Sequence, residues 1–169
     1  MNDLVAQWLT SQHSTIGFDC GVPELNNWLR GSALRSQRVG NGRTKVWVRE
    51  GQQQVVGFYT IAPYMCERAE AGLTRRFHEG FTGITGFLLG KLALDTSMHG
   101  QGLGAELLHD AISVAVHSGQ QVGGQLLFVD AIDEAAAEFY EKYAFTRTYK
   151  DGLLVMRLID AAQSLQPDP

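Results

Sequence analysis

The residues best suited to chemistry lie between Leu92 and Gly104. The run Leu92-Ala93-Leu94-Asp95 is followed, past Thr96-Ser97-Met98, by His99-Gly100-Gln101-Gly102-Leu103-Gly104. An apolar strand that enters a glycine-rich turn opening onto a helix points several backbone N–H groups at one spot, where the helix N-terminus also favours negative charge. Glycines at Gly100, Gly102 and Gly104 keep side chains clear, so a phosphate can approach the backbone. The segment reads as an anion site suited to pyrophosphate, although a tight helix entry without ligand uses the same residues. Two familiar phosphate loops do not fit. A nucleotide triphosphate loop needs GxxxxGK[ST], and no Lys follows Gly104. A dinucleotide fingerprint needs different glycine spacing and an acidic residue about 20 positions further on. None of the five histidines sits at ligand spacing with a Cys or carboxylate, so no metal is expected. His109 reads as packing or surface, and His117 as a residue near a helix C-terminus, favoured there by the dipole.

The elements that must hold this turn are legible around it. Phe87 to Asp95 is a nearly continuous apolar run, as in a central strand covered on both faces. Gly102 to Val116 has helical periodicity through Leu103, Leu107, Leu108, Ala111, Ile112 and Ala115. Leu126 to Val129 predicts a second interior strand, and Ala135 to Tyr143 a short helix. Upstream, Pro23 opens a helical pattern carrying Leu25, Trp28, Leu29, Ala33 and Leu34 on one side, ending at Gly40-Asn41-Gly42. Arg43 to Arg49 and Val55 to Ile61 predict two strands joined through Gly51-Gln52-Gln53. Residues 64–84 are the least regular part, expected as a short helix plus loop. Phe145 to Tyr149 and Leu153 to Leu158 predict a closing hairpin around Lys150-Asp151-Gly152. Residues 161–169 are expected to be a tail. The fold class is a mixed α/β layer structure with a strand, helix, strand, helix core.

Composition agrees with a globular chain. Of 169 residues, 44% are hydrophobic and 19% charged, and that length buries enough surface to need no metal or disulfide staple. The sequence has no run of 18 apolar residues for a membrane span. Met1-Asn2-Asp3-Leu4 lacks a secretory head, and Cys20 and Cys66 are expected to be reduced thiols, so a cytoplasmic protein is expected. With 14 Lys plus Arg against 18 Asp plus Glu, the net charge is -4, which argues against a generic nucleic-acid coat. The charge is unevenly placed. Arg30, Arg35, Arg38, Arg43, Lys45 and Arg49 follow one another without an acid, whereas Asp130, Asp133, Glu134, Glu138 and Glu141 follow without a base. A basic and an acidic face are expected, and both also fit ordinary solvated helix faces.

The turn resembles the coenzyme A pyrophosphate loop of the GNAT family of N-acetyltransferases, Q/R-x-x-G-x-G/A, here His99-x-x-Gly102-x-Gly104 with His99 where Gln or Arg is usual. Glu138-Phe139-Tyr140-Glu141-Lys142-Tyr143-Ala144-Phe145 is similar to the family's A-x-x-F-Y-x-x-x-G-F segment, with Ala144 at its Gly. A narrower resemblance, over residues 18–159, is to the acetyltransferase toxins of bacterial toxin-antitoxin modules. Phe18-Asp19-Cys20-Gly21-Val22-Pro23-Glu24-Leu25-Asn26-Asn27-Trp28-Leu29 is similar to their opening. Arg43 to Val48 and Val56 to Thr60 are similar to their next two strands, and Gly90 to Asp95 and the Tyr140 segment to their core.

The resemblance implies a GNAT fold over residues 1–160, its mixed sheet splayed between two middle parallel strands, with helices on both faces. It implies acetyl-CoA as cofactor, held by Leu92, Leu94 and the backbone of His99, Gly100, Gln101, Gly102, Leu103 and Gly104. It implies acetylation of the α-amino group of aminoacyl-tRNA, which stops translation. Leu94 N–H is expected to receive the developing oxyanion, and Tyr140 to protonate the departing thiolate. An aminoacyl ester lowers the pKa of its own amine, so positioning replaces a strong general base. Arg30, Arg35, Arg38, Arg43, Lys45, Arg75, Arg76 and Lys91 are the RNA-contacting candidates, as phosphate contacts that position without reading sequence. Expected partners are a ribbon-helix-helix antitoxin, with operator DNA bound mainly through it, and a second copy of the chain. Two other readings stay open: acetylation of a small amine or protein N-terminus, and a catalytically silent binding module.

Overall fold

A computed structural model describes residues 3–166. Along the chain run β1 (Leu4–Trp8), α1 (Pro23–Gly31), α2 (Ala33–Arg38), β2 (Arg43–Arg49), β3 (Val55–Glu67), α3 (Arg75–His78), β4 (Gly83–Leu94), a 3-10 turn (Thr96–Met98), α4 (Leu103–Val122), β5 (Leu126–Asp130), α5 (Glu134–Lys142), β6 (Thr146–Arg147), β7 (Leu153–Arg157) and α6 (Leu158–Leu165). The strands lie in the order β1-β2-β3-β4-β5-β7-β6. β4 and β5 are parallel, which requires a crossover, supplied by α4. The pairs β1–β2, β2–β3, β5–β7 and β6–β7 are antiparallel.

Two compact units divide the chain, Met1–Ala62 with Gly90–His109, and Pro63–Leu89 with Asp110–Pro169. In the first, Leu29 and Ala33 are buried with Phe18, Val46, Val48 and Phe58, and Leu25, Trp28 and Leu34 pack against them. The expected apolar stripe is therefore present, but on two helices rather than one. The bend falls at Ser32, after Gly31, where φ is -124 and ψ -27. Neither residue favours a helix interior. The bonds Ser32 N–H to Trp28 carbonyl (2.8 Å) and Ser36 N–H to Ser32 carbonyl (2.9 Å) bridge the bend.

In the second unit Ile84, Phe128, Leu126, Leu153 and Val155 are buried with Phe77, and Tyr64, Cys66 and Leu88 pack against them. Of the short helix plus loop expected over residues 64–84, the short helix is present as α3, and the two ends of the segment are corrected. β3 runs on to Glu67, α3 follows, and β4 begins at Gly83. Tyr64 and Cys66 are partly buried while Pro63, Met65 and Glu67 are exposed. That period of two is a strand signal, but Pro63 hides it, because proline reads as a strand breaker. α4 also outruns its expected end by six residues, to Val122, and Gly123 follows at φ 88. His117 thus sits well before the helix end. β1 and α6 had no sequence-level expectation. Residues 161–165, expected as tail, lie in α6 with Ala161 buried, and Pro167, Asp168 and Pro169 lie outside the described residues.

The parallel pair depends on one glycine. A Cβ added at Gly86 would run into the Leu126 carbonyl, whereas one at Gly83 meets nothing within 4 Å. Gly86→Ala is therefore expected to lower the unfolding free energy by about 3 kcal/mol, and Gly83→Ala by about 0.5 kcal/mol. Urea titration of the two variants checks this.

Candidate active site

In the first unit the candidate residues lie at the end of β4 and in the turn after it. The β4–β5 ladder runs from Gly86–Leu126 to Leu89–Val129, and β4 continues to Leu94. Asp95 N–H donates to the Val56 carbonyl at 2.9 Å, which points that residue at β3. Backbone groups alternate along a strand, so the N–H and C=O of Leu92 and Leu94 point at the opposite edge. These are the two residues expected to line the coenzyme arm.

Asp95 holds the bend that follows. Its Oδ2 accepts the Asp19 N–H at 2.9 Å, and its Oδ1 accepts the Ser97 N–H at 3.0 Å and the Ser97 hydroxyl at 2.7 Å. Partial burial alone would raise the Asp95 pKa, but these donors outweigh it and hold the carboxyl below its usual range. Asp19 is tied in turn. Its Oδ1 accepts from Gly21 N–H and from the Asn26 side-chain amide, each at 2.9 Å, and those two bonds lower its pKa. The buried Asn26 accepts the Cys20 N–H at 2.9 Å, and the Asp19 carbonyl accepts Thr96 N–H at 2.8 Å. The Phe18-Asp19-Cys20-Gly21 opening and Asn26 are thus a brace for the end of β4. Sequence reasoning gave none of Asp19, Asn26 or Asp95 a role of its own. The motif containing the first two was visible, but a separation of 76 residues hid its partner.

Gly100 and Gly102 have φ of 75 and 74, in the left-handed region that glycine adopts without strain. A Cβ at either would meet nothing within 4 Å, so the turn is open where it enters α4. The 20 residues of α4 bring a full helix N-terminus to that opening. The turn's side chains are turned away from it or inward. Gln101 donates its amide to the Ser97 carbonyl at 3.2 Å, and Leu103 is buried in the core. His99 Nε2 lies 2.8 Å from the Leu94 carbonyl. What Gly100 to Gly104 offer an anion is therefore backbone. Among the described residues, no group of three or more His, Cys, Asp or Glu could hold a metal.

The second unit carries its own candidate, on α5. Asp133 caps it, accepting Ala136 N–H at 2.8 Å. Arg147 grips its outer side, with Nε 2.7 Å from Glu141 and both terminal nitrogens on Glu134, at 3.0 and 2.6 Å. Three members of the acidic run are thus engaged in holding the helix. Tyr140 is 9% exposed, edge-on to Phe139 at 5.4 Å and Phe145 at 5.5 Å. Burial pushes its phenol up to about 12, so near neutrality it is an O–H donor and never a phenolate. Phe145 is core, whereas Phe139 is only partly buried. Ala144 takes the turn at φ 72, a conformation natural to the glycine it replaces.

The basic candidates do not form one uniform set. Arg35 and Arg38 are exposed on α2. Arg43 and Lys45 both lie over the Trp8 ring, at 4.5 and 5.2 Å. Arg30 is tied down, donating to the Phe18 carbonyl at 3.1 Å and to Asn27 at 3.0 Å. Lys91 lies 4.3 Å over Trp28, and burial lowers its pKa. Arg75 and Arg76 belong to α3 in the second unit, where Arg76 pairs with Asp160 at 3.7 Å.

Comparison with known proteins adds to this geometry. Residues 42–147 match the family model described as an acetyltransferase (GNAT) domain. A tRNA-acetylating toxin of Mycobacterium tuberculosis (strain ATCC 25618 / H37Rv) is 35% identical over 152 residues, covering 89% of this chain and 89% of the relative. AtaT complexed with acetyl-methionyl-tRNAfMet is similar with a TM-score of 0.87 at 29% identity, covering 97% of this chain and 100% of that one. A tyrosine-to-phenylalanine mutant of the AtaT toxin bound to the C-terminus of the antitoxin AtaR and acetyl-CoA gives 0.85 at 28% identity, covering 98% and 100%. The KacTA–DNA complex gives 0.81 at 27% identity, covering 98% and 99%.

The brace leads to a stability difference between neighbours. Asn26→Ala removes the buried acceptor of the Cys20 N–H and is expected to cost about 2 kcal/mol. Asn27→Ala, at an exposed position, is expected to cost about 0.5 kcal/mol or less. Thermal and urea unfolding of the pair make the comparison.

Proposed function

The chain belongs to the GNAT family of acetyltransferases, and on that premise we propose that it is a toxin that acetylates the α-amino group of aminoacyl-tRNA and so blocks translation. The observation that carries this reading is the end of β4 with its turn. Leu92 and Leu94 present unladdered backbone at one edge, and Gly100 and Gly102 open the N-terminus of α4. That arrangement fits acetyl-CoA: N–H groups and helix dipole for the pyrophosphate, strand backbone for the amide-bearing arm. When bound, acetyl-CoA supplies the activated acetyl group.

The protein's own residues have three tasks. Leu94 N–H is the donor for the reacting carbonyl oxygen as negative charge gathers on it. Tyr140 provides the proton that the leaving sulfur needs when its bond to carbon breaks, and its raised pKa keeps that proton in place. The attacking amine forms the new C–N bond and releases a proton to solvent, so protons balance over the cycle. Because an aminoacyl ester has a weakly basic amine, no carboxylate base is required. Arg35 and Arg38 are the exposed candidates for tRNA phosphates, with Arg43 and Lys45 beside Trp8 extending that surface.

A ribbon-helix-helix antitoxin is the neutralising partner, its C-terminal tail lying over the basic surface and its other end holding operator DNA. The site of action is the cytoplasm, where charged tRNA and acetyl-CoA meet. No helix among the described residues is long and apolar enough to cross a membrane. A small-amine acetyltransferase would use a free acidic pocket. Here Asp133, Glu134 and Glu141 are already engaged on α5.

Tyr140→Phe is expected to lower kcat for tRNA acetylation about 100-fold or more while leaving the Kd for acetyl-CoA unchanged. In the parent protein, kcat is expected to hold from neutral pH to about 9.5, because a phenol at about 12 keeps its proton throughout. A falling limb centred below the ordinary tyrosine value of 10 would assign the acid to another group. Reversing charge at Arg35 or Arg38 to Glu is expected to weaken tRNA modification and flatten its salt dependence, with acetyl-CoA binding intact. Filter binding at two salt concentrations and calorimetry separate these effects.

A further inference from the structure

His99 occupies the loop position where the family has Gln or Arg, yet its ring is engaged with the strand. Its Nε2 lies 2.8 Å from the Leu94 carbonyl. A carbonyl only accepts, so Nε2 carries the hydrogen and donates it. At the other end of the same peptide group, Asp95 N–H donates to the Val56 carbonyl at 2.9 Å. The Leu94–Asp95 peptide is thus held at both its ends. The next side chain, Asp95, is itself fixed by Asp19 N–H and Ser97. Within a strand the N–H and C=O of one residue point at the same edge. The carbonyl that His99 holds therefore belongs to the residue whose N–H faces the reacting oxygen.

We propose that His99 is a positioning residue for acetyl transfer: its Nε2–H, through the Leu94 carbonyl, fixes the direction in which Leu94 N–H points. With the following peptide plane locked, Leu94 N–H has only the dihedrals of Leu94 itself left to turn on. A donor for developing charge must be aimed before the reaction, since small misplacements cost large factors in rate. This role rests on the acetyl-transfer reading above, and differs from a direct contact with coenzyme phosphate.

The test uses three substitutions in the full chain. A glutamine side-chain amide reaches about where imidazole Nε2 lies, and an asparagine amide about where Nδ1 lies. His99→Ala is expected to lower kcat about tenfold and to leave the acetyl-CoA Kd, measured by calorimetry, within about twofold. His99→Gln is expected to restore most of kcat, and His99→Asn to behave like the alanine variant. Amide hydrogen exchange over residues 94–97 follows the same order, faster in the Ala and Asn variants and parent-like with Gln. A raised Kd for acetyl-CoA with unchanged kcat would make His99 a phosphate contact and overturn the proposal. Equal kcat in all four proteins, or Asn rescuing as well as Gln, overturns it too. The kcat series is also run on acetyl-CoA hydrolysis without an amine. If the parent acetylates no charged tRNA, the functional reading fails, while the hydrolysis and exchange orders still decide the role of His99.

Discussion

The carboxylate of Asp95 is the constraint on which the rest of the first unit turns. It ends β4, starts the 3-10 turn and receives the N-terminal motif through the Asp19 N–H. A carboxylate that accepts three hydrogen bonds in a partly buried place is a strong, directional anchor, and its lowered pKa is the thermodynamic trace of those bonds. Without it, the backbone edge at Leu92 and Leu94 and the opening at Gly100 and Gly102 have no fixed relation to each other. The opening motif of the chain, which carries no obvious chemistry, thereby gains a mechanical role: Asn26 holds Asp19, Asp19 meets Asp95, and Asp95 sets the turn.

The second unit holds a buried tyrosine still. Tyr140 sits between Phe139 and Phe145, in surroundings that disfavour the phenolate and therefore favour the acid form. Its helix is capped by Asp133 and gripped from outside by Arg147 through Glu134 and Glu141. Asp133, Glu134 and Glu141 of the acidic run are thus scaffolding for the aromatic residue beside them. Such exposed ion pairs contribute little energy individually, but a forked guanidinium on two carboxylates about two turns apart restricts rotation of the helix about its axis. Ala144, in a left-handed conformation, closes the turn that brings Phe145 back under Tyr140.

Much of this was legible in the sequence, for reasons that differ between segments. The apolar run of β4, the stripe of α4 and the glycines between them are local signals, each read within about 20 residues, and the GNAT reading followed from them. Residue type alone does not signal the neighbours of the basic set: Lys91 is folded over Trp28, Arg30 is tied to Phe18, and Arg43 and Lys45 lie over Trp8. The extended β3 was hidden by Pro63, and β1 and α6 by their shortness, five and eight residues. The brace at Asp95 was illegible because it joins residues 76 apart. His99 belongs to the coenzyme loop by its place in a motif, and only the folded chain puts its ring on the Leu94 carbonyl. Local pattern reveals elements, whereas long-range hydrogen bonds reveal what the elements are for.

The most direct measurement is transfer of labelled acetyl groups from acetyl-CoA to a total pool of aminoacylated tRNA. Label is expected on the charged RNA, released as N-acetyl amino acid when the ester is cleaved, and none on uncharged RNA. Label on small amines or protein N-termini alone, with acetyl-CoA bound and charged tRNA untouched, would contradict a tRNA-acetylating role.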